Sequence, residues 1–427
     1  MTNGPESSAP RRADAEHSMA PMNVNGIEAW FVRGGVRRAV LAGLLARVGL
    51  ITLLLHWTAV PSTSDDATYV RFARAFLETG RIATHHFPIG YPILLAPFLT
   101  LGSFAFPAIR IAHVALGLLT IVIVSRIASD LYGERAGLFA AWFTALYPPL
   151  VFMTGRVMSE TLFIALLVLS LRQFVLSDRD ESTKRSVWAG AWLAVGSLAR
   201  SNLVAMLPLI PLWYLCKRGS SWKGRLTRAC ACVAIASAIL ILPGLYFLAT
   251  TGKFLPLATN AGQTFYGANN PLADGGWVEV NDHPELLRSI PDEVRRSPAA
   301  FSKAQQQLGV TWIKEHPTDF LRLLPKKFGN AWVPGFQTSE ATSRSKLAAV
   351  ILPLSLGLLL LGAIAGRLLV KPACRDGILL AVLATYTVMS LAFYGNPRIG
   401  LFCAPILIIY SGAAASWLLA RRHAKGP

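Results

Sequence analysis

The chain of 427 residues is 53% hydrophobic and only 15% charged, with a mean hydropathy of +0.46. This composition excludes an ordinary soluble globular protein, because long apolar runs occupy the sequence that soluble domains give to polar surface. The formal net charge of +18 would suit nucleic acid, but many lysines and arginines flank apolar runs on one side, as in membrane proteins, so we expect membrane lipids and no nucleic acid as partners.

The first part of the chain differs from the rest. Residues 1–36 are polar and lack an apolar period, which predicts a disordered cytoplasmic tail. In residues 37–427, apolar runs recur at about the 17–25 residues that cross a bilayer. We therefore predict an all-α polytopic membrane domain with about ten transmembrane helices. The predicted spans cover residues 39–60, 106–130, 136–154, 158–176, 186–200, 202–216, 228–249, 347–369, 377–394 and 399–419.

The charges between the spans set the predicted orientation. Ten crossings place both termini on one side, together with the basic segments 217–228, 367–375 and 421–425. Basic connections face the cytoplasm, so both termini are predicted to be cytoplasmic. The expected location is the plasma (inner) membrane, with two loops, 61–104 and 250–346, facing the periplasm or cell exterior.

Both outer loops contain predicted helices. From Asp66 to Leu77, apolar residues recur at spacings of three and four, which is typical of an amphipathic helix on the membrane surface. Residues 88–92 interrupt this helix, and 93–101 is too short to span, so we expect a second interfacial helix there. In the second outer loop, a turn-rich stretch at 260–276 precedes predicted helices at about 301–312 and 317–324.

The acidic pair Asp65-Asp66 follows the first predicted span. Two neighbouring carboxylates at a membrane surface repel each other and lose hydration, so one of them is a candidate base. An alternative is that the pair binds a divalent cation; on spacing alone a cap for the helix that follows is favoured, and a cap is compatible with either role. Glu160 begins the fourth span and is either a second acid or base, or a simple helix-start carboxylate.

Several basic residues lie at the outer ends of spans, where the positive-inside rule disfavours them. A lipid phosphate would explain them, since arginine forms bidentate bonds to phosphate; the alternative is snorkelling to ordinary headgroups. The candidate phosphate-binding residues are Arg156, Arg200, Arg398 and Lys326. Arg47, inside the first span, is expected to snorkel to the cytoplasmic interface.

A polar cluster in the second outer loop has the side chains to hold a sugar. Asn269 and Asn270 supply amides, and Trp277 supplies an aromatic face. Such clusters are also typical of simple turns. The outer histidines 85, 86, 283 and 316 show no two-histidine helical spacing, which argues against a histidine metal site.

With these residues assembled, the chain resembles the GT-C membrane glycosyltransferases, especially bacterial relatives of the protein O-mannosyltransferases and the lipid A aminoarabinose transferases. The most specific stretch is Asp65-Asp66-Ala-Thr-Tyr69 followed by Pro88-Ile-Gly-Tyr-Pro92, which is similar to the family's first outer loop. Further matching segments are Tyr147-Pro148, Ser159-Glu160-Thr-Leu-Phe163, Leu198-Ala-Arg200, Gly267-Ala-Asn-Asn-Pro271, His316-Pro317 and Pro397-Arg398.

The resemblance implies a polyprenyl-phosphate sugar donor and a hydroxyl-bearing glycan, lipid or protein acceptor. Asp65 would remove the acceptor proton, with Asp66 as its acidic neighbour, and in-line displacement would invert the anomeric carbon. Arg200 and Arg398 would hold the phosphate, with Lys326 behind them. The residues expected to contact sugar or acceptor are Tyr69, His86, Tyr91, Asn269 and Asn270.

The chain departs from the family in two places. It has no lysine at 85–88, where the aminoarabinose transferases have one, which argues against that sugar. It ends soon after the tenth span, so we expect the loop at 250–346 to recognise the acceptor. The rival interpretations are a transporter and a lipid-binding or polymerase-like envelope protein. The two halves do not repeat, and the notable charges lie at the outer surface, which favours the transferase over a transporter.

Overall fold

The computed structural model describes residues 34–61, 64–82, 87–217, 220–255, 257–333, 346–371 and 376–424, and in these ranges it contains helices and no strand. In chain order, the helices up to the second outer loop are α1 Gly35–Leu50, α2 Ser64–Thr79, α3 Gly90–Leu99, α4 Ala105–Tyr132, α5 Glu134–Leu146, α6 Pro148–Gly155, α7 Glu160–Asp180, α8 Thr183–Ala199, α9 Leu209–Leu215 and α10 Trp222–Thr251; α2 and α3 belong to the first outer loop. The second outer loop contains α11 Ala261–Ala268, α12 Pro284–Leu287, α13 Asp292–Arg295, α14 Pro298–Glu315 and α15 Pro317–Trp332. The last helices are α16 Lys346–Leu369, α17 Gly377–Ala392 and α18 Arg398–Ala424.

Each predicted span falls on one or more of these helices. Within the described ranges, six helices are long and apolar enough to cross a membrane, or seven if the bent pair α5–α6 counts as one span. α17 and the segment 201–215 are apolar but shorter. The all-α polytopic fold is confirmed, while the number of ten crossings stays a prediction.

The helices α7 and α18 form the centre of the bundle. Their most apolar windows are 83% and 89% buried, whereas those of α1 and α16 are 22% buried. Phe163 of α7 meets Phe402 of α18 edge to face, with ring centroids 5.0 Å apart. The central helices therefore depend on protein packing, and the outer ones turn most of their surface to lipid.

The third predicted span is broken, because two prolines begin α6. The axes of α5 and α6 differ by 49°, and Pro149 has no N–H to donate to the carbonyl of Ala145, four residues earlier. The guanidinium of Arg47 donates to that carbonyl at 3.0 Å and to the carbonyl of Gly43 at 3.0 Å. The expectation that Arg47 snorkels to the interface is wrong: its side chain is buried and bonds the carbonyl left free by the break.

Both outer loops are helical, as predicted. In the first, Tyr69 and Ala73 of α2 pack against Tyr91 and Leu95 of α3 in a small apolar core. The second has its own core around Tyr266, Val280 and neighbouring apolar residues. Its helices α14 and α15 are longer than predicted, and both begin with a proline at the first turn, where no N–H is needed.

Candidate active site

A cavity of about 1090 Å³ opens at one end of the bundle. Its walls come from the start of α2, the turn between α6 and α7, the segment after α8, and the start of α18. The second outer loop and α16 close the other sides. Three acids and three arginines predicted as site residues meet here, although they are spread from position 65 to position 398.

Asp65 and Arg398 form the ion pair nearest the cavity. Nη1 of Arg398 lies 2.8 Å from Oδ2 of Asp65, and both residues line the cavity. The Asp65 side chain is 33% exposed, so it is accessible to a bound molecule while one oxygen is held. Asp65 lies in the first turn of α2, where the helix dipole favours its charge.

Glu160 connects two arginines beneath this pair. Its Oε1 lies 2.9 Å from Nη1 of Arg200 and 3.8 Å from Nη1 of Arg398, and its side chain has no exposed surface. Arg200 also donates to the hydroxyl of Ser159 at 3.2 Å and lies over the ring of Phe402, 4.9 Å from its centroid. Glu160 therefore holds both arginines at one point, and it is buried rather than at the outer surface.

Asp66 holds the third arginine. Its Oδ2 accepts from Nε and Nη2 of Arg156 at 3.2 and 2.8 Å, and its Oδ1 accepts from the N–H of Ala67. Nearby, the hydroxyls of Tyr69 and Ser159 lie 3.2 Å apart. Burial raises the pKa of Tyr69, so this phenol stays neutral at ordinary pH.

The three acids therefore have different surroundings. Of these three carboxylates, Asp65 lines the cavity, whereas Asp66 and Glu160 are buried and do not line it. A general base must reach the proton that it removes. Of the three acids, Asp65 is the one placed to exchange a proton with a molecule in the cavity, while Asp66 and Glu160 hold arginines in place.

The sequence and the fold are similar to those of known proteins. Residues 86–247 match the family described as dolichyl-phosphate-mannose-protein mannosyltransferase. The structure is similar to the archaeal oligosaccharyltransferase AglB from Archaeoglobus fulgidus, determined in complex with an inhibitory peptide and a dolichol-phosphate. The TM-score is 0.57 and the sequence identity is 15%, and the match covers 94% of this chain and 52% of that one. This chain has the GT-C fold.

The predicted resemblance to the GT-C glycosyltransferases is thereby confirmed. The chain spans about half the length of the oligosaccharyltransferase AglB. Two structures of ArnT from Cupriavidus metallidurans also match, one in the apo state with a TM-score of 0.40 and one bound to undecaprenyl phosphate with a TM-score of 0.39. In both, the identity is 16% and the match covers 91% of this chain and 78% of that one. A search of curated protein sequences gives no match.

Tyr69, predicted to contact sugar or acceptor, lines the cavity of this GT-C fold, whereas four other predicted residues lie apart from it. Lys326 is exposed and does not line the cavity. Asn269 and Asn270 are fully buried, and their amides bond backbone carbonyls. Tyr91 is buried and bonds Nε2 of His113 at 3.1 Å. His86 lies outside the described residues.

Three residues that the sequence reasoning missed also shape the site. Arg110 donates to the carbonyls of Trp57, Ala59 and Gly155, which ties the end of the first span to the end of α6. His113 bonds the carbonyl of Arg156 at 2.9 Å. Arg71 of α2 lines the cavity and forms no ion pair with a described residue. The position of Arg71 on the same amphipathic helix as Asp65 was the sequence feature that could have indicated its place at the site.

The acidic residues do not offer a ready metal site. Within the described ranges, no group of three or more His, Cys, Asp or Glu side chains is placed to hold an ion. Asp65 and Asp66 direct their Oδ2 atoms to two different arginines. A divalent cation at these oxygens would have to displace a guanidinium.

Proposed function

We propose that this protein is a glycosyltransferase that moves a sugar from a polyprenyl-phosphate donor to a hydroxyl-bearing acceptor on the non-cytoplasmic face. The observation that carries the proposal is one cavity with two kinds of wall. Asp65 and the arginines form a charged wall, while Tyr147 and residues of α6 and α16 form an apolar one. The apolar residues are Tyr147, Pro149, Phe152, Met153, Leu352, Pro353 and Leu356. A lipid-linked phosphate has the same division into a charged head and an apolar chain.

The donor phosphate would lie against Arg398, Arg200 and Arg156, which all line the cavity. Their acidic partners hold the guanidinium groups in fixed positions before the donor arrives, which is the preorganisation that stabilises a developing charge. Arg71 adds a cation with no carboxylate partner among the described residues. The prenyl chain would follow the apolar wall towards the lipid.

In the reaction, Asp65 accepts the proton of the acceptor hydroxyl as its oxygen attacks the anomeric carbon. The new bond forms between that oxygen and the anomeric carbon, while the bond from the anomeric carbon to the phosphate oxygen breaks. The electron pair leaves with the polyprenyl phosphate, which needs no proton because it is a stable anion. One carboxylate is then sufficient, and in-line attack inverts the anomeric centre.

The charge distribution supports a site on the outer face. The far end of the bundle carries Arg179, Lys217, Arg225 and Arg367, beside ion pairs such as Lys217 to Asp178 at 2.9 Å. By the positive-inside rule that end is cytoplasmic. The cavity at the opposite end would then face the periplasm or cell exterior, with both termini cytoplasmic.

The acceptor would enter from the side of the second outer loop. Gln263, Trp277 and Glu279 of this loop line the cavity, and Nε2 of Gln263 donates to Oε1 of Glu279 at 3.3 Å. An exposed indole face beside a bonded amide and carboxylate suits a sugar or another polar molecule with hydroxyl groups.

The test uses purified protein in liposomes with polyprenyl-phosphate sugars that carry the label on the sugar. We expect cleavage of one donor, with release of labelled sugar and appearance of polyprenyl phosphate, when the donor is in the leaflet that the cavity faces. Movement of an intact labelled lipid or sugar across the bilayer, without cleavage of any donor, would replace this proposal with transport.

A further inference from the structure

Lys327 is a buried cation that the proposed reaction does not use. Its side chain has no exposed surface, and its ammonium donates to Oδ1 of Asn269 at 2.7 Å and to the carbonyl of Leu391 at 3.3 Å. The ring of Phe320 lies beneath it, 5.2 Å from the ammonium to the centroid. Residues from α15, from the C-terminal end of α11 and from α17 therefore meet at this one charge.

The carbonyl groups that accept hydrogen bonds around Lys327 explain why a cation lies at this position. Leu391 and Ala392 are the last residues of α17, and the final carbonyls of a helix have no partner within it. Lys327 donates to the first of these carbonyls, and Nδ2 of Asn269 donates to the second at 3.1 Å. A positive charge is also favoured at this end of the helix dipole. The second outer loop thus caps α17 from outside.

The capped helix end leads directly to the site. The N–H of Gly395 donates to the carbonyl of Gly275 at 3.1 Å, and a Cβ on Gly395 would lie 2.0 Å from the carbonyl oxygen of Lys327. The N–H of Arg398 then donates to Oδ1 of Asn396 at 2.9 Å. The turn from 393 to 397 is therefore fixed against α15 on one side and carries Arg398 on the other.

We propose that Lys327 is a positioning residue, which acts with Asn269 through the 393–397 turn to hold Arg398 against Asp65. This inference rests on the proposed function, because it assigns Arg398 a part in the reaction. It also makes the second outer loop a mechanical support for the charged wall, so that a displacement of α15 moves a phosphate-binding arginine.

The first experiment compares Lys327→Met with Lys326→Met in the full-length protein. Both variants remove one positive charge from neighbouring positions, but Lys326 is exposed and forms none of these bonds. We expect K327M to lose about 10–100-fold in kcat/KM, because small misplacement of a binding group has effects of this size. K326M should stay within about threefold of the wild-type value, on the same scale.

A double-mutant cycle separates positioning from general damage. If Lys327 acts through Arg398, adding K327M to Arg398→Gln should cause less than about a threefold further loss, since the effects of residues coupled through a backbone shift are non-additive. A loss by the same factor in both backgrounds would overturn the proposal. Lys327→Gln, which removes the charge and shortens the side chain by one atom but stays polar, takes the place of K327M in the cycle if K327M gives no monodisperse protein.

A measurement that needs no activity keeps the two proposals distinguishable. Amide hydrogen exchange should rise in residues 393–400 of K327M, or of K327Q in its place, and stay unchanged in K326M. If no donor is cleaved by the wild type but this exchange pattern appears, the proposed function fails and the structural link holds. Unchanged exchange in 393–400 would refute the link, whatever the activity.

Discussion

Replacing Glu160 by glutamine removes a buried negative charge that lies within 4.0 Å of two arginines. At an effective dielectric constant of about 20, charges 2.9 Å apart attract by about 6 kcal/mol. Burial of both charges offsets part of this attraction, and loss of one partner of a buried pair typically costs about 3–5 kcal/mol. We expect E160Q to lose stability on this scale, and to lose activity because Arg200 and Arg398 are no longer held together.

The assay is unfolding of the purified protein in mixed micelles, with Asp319→Asn as the matched control. Asp319 pairs with Arg322 at 3.2 Å, but both side chains are more than half exposed, so D319N should change stability by less than about 1 kcal/mol. If E160Q is as stable and as active as D319N, the buried ion pairs do not hold the site, and the reasoning fails.

Three further predictions follow from the same contacts. Gly395→Ala should lower both activity and thermal stability, because its methyl group would clash with the Lys327 carbonyl. Gly49→Ala, whose methyl group meets nothing within 4 Å, should leave activity unchanged and should not lower stability. Burial lowers the pKa of Lys327 to about 8, below the ordinary value of 10.5. Between pH 8 and pH 10.5 the unfolded chain therefore binds one more proton than the folded protein. In this range the stability of the wild type, measured by thermal unfolding, should rise with pH relative to that of K327M. In initial-rate kinetics, Arg71→Gln should raise the KM for the donor several-fold with little change in kcat, whereas Arg74→Gln on the same helix should leave this KM unchanged. An unchanged KM in Arg71→Gln would remove Arg71 from the donor site.

Much of the fold was predictable because the membrane imposes simple rules. Hydropathy located the helices, since a chain in lipid must satisfy its backbone internally and needs a fixed length to cross. Spacings of three and four found α2 before any contact was known. The break at Pro148 and the role of Arg47 were not predictable, because the free carbonyl of Ala145 finds its donor on another helix.

The candidate site was predictable in composition more than in arrangement. The acids Asp65, Asp66 and Glu160 and their arginines stand out as charges at the ends of apolar runs. Which acid faces the cavity depends on burial, which the sequence does not display. Lys326 and Lys327 illustrate the same difficulty: neighbours on a helix point about 100° apart, so only one of them faces the protein.

The central claim is that Asp65 acts as the base in sugar transfer from a lipid phosphate. It is tested most directly by measuring donor binding and donor turnover by wild type and Asp65→Asn in the same liposomes. We predict that D65N binds the donor within about threefold of wild type, because the arginines remain, and loses about 10²–10⁴-fold in turnover, as expected for loss of a general base. Turnover by D65N close to the wild-type rate would contradict the account.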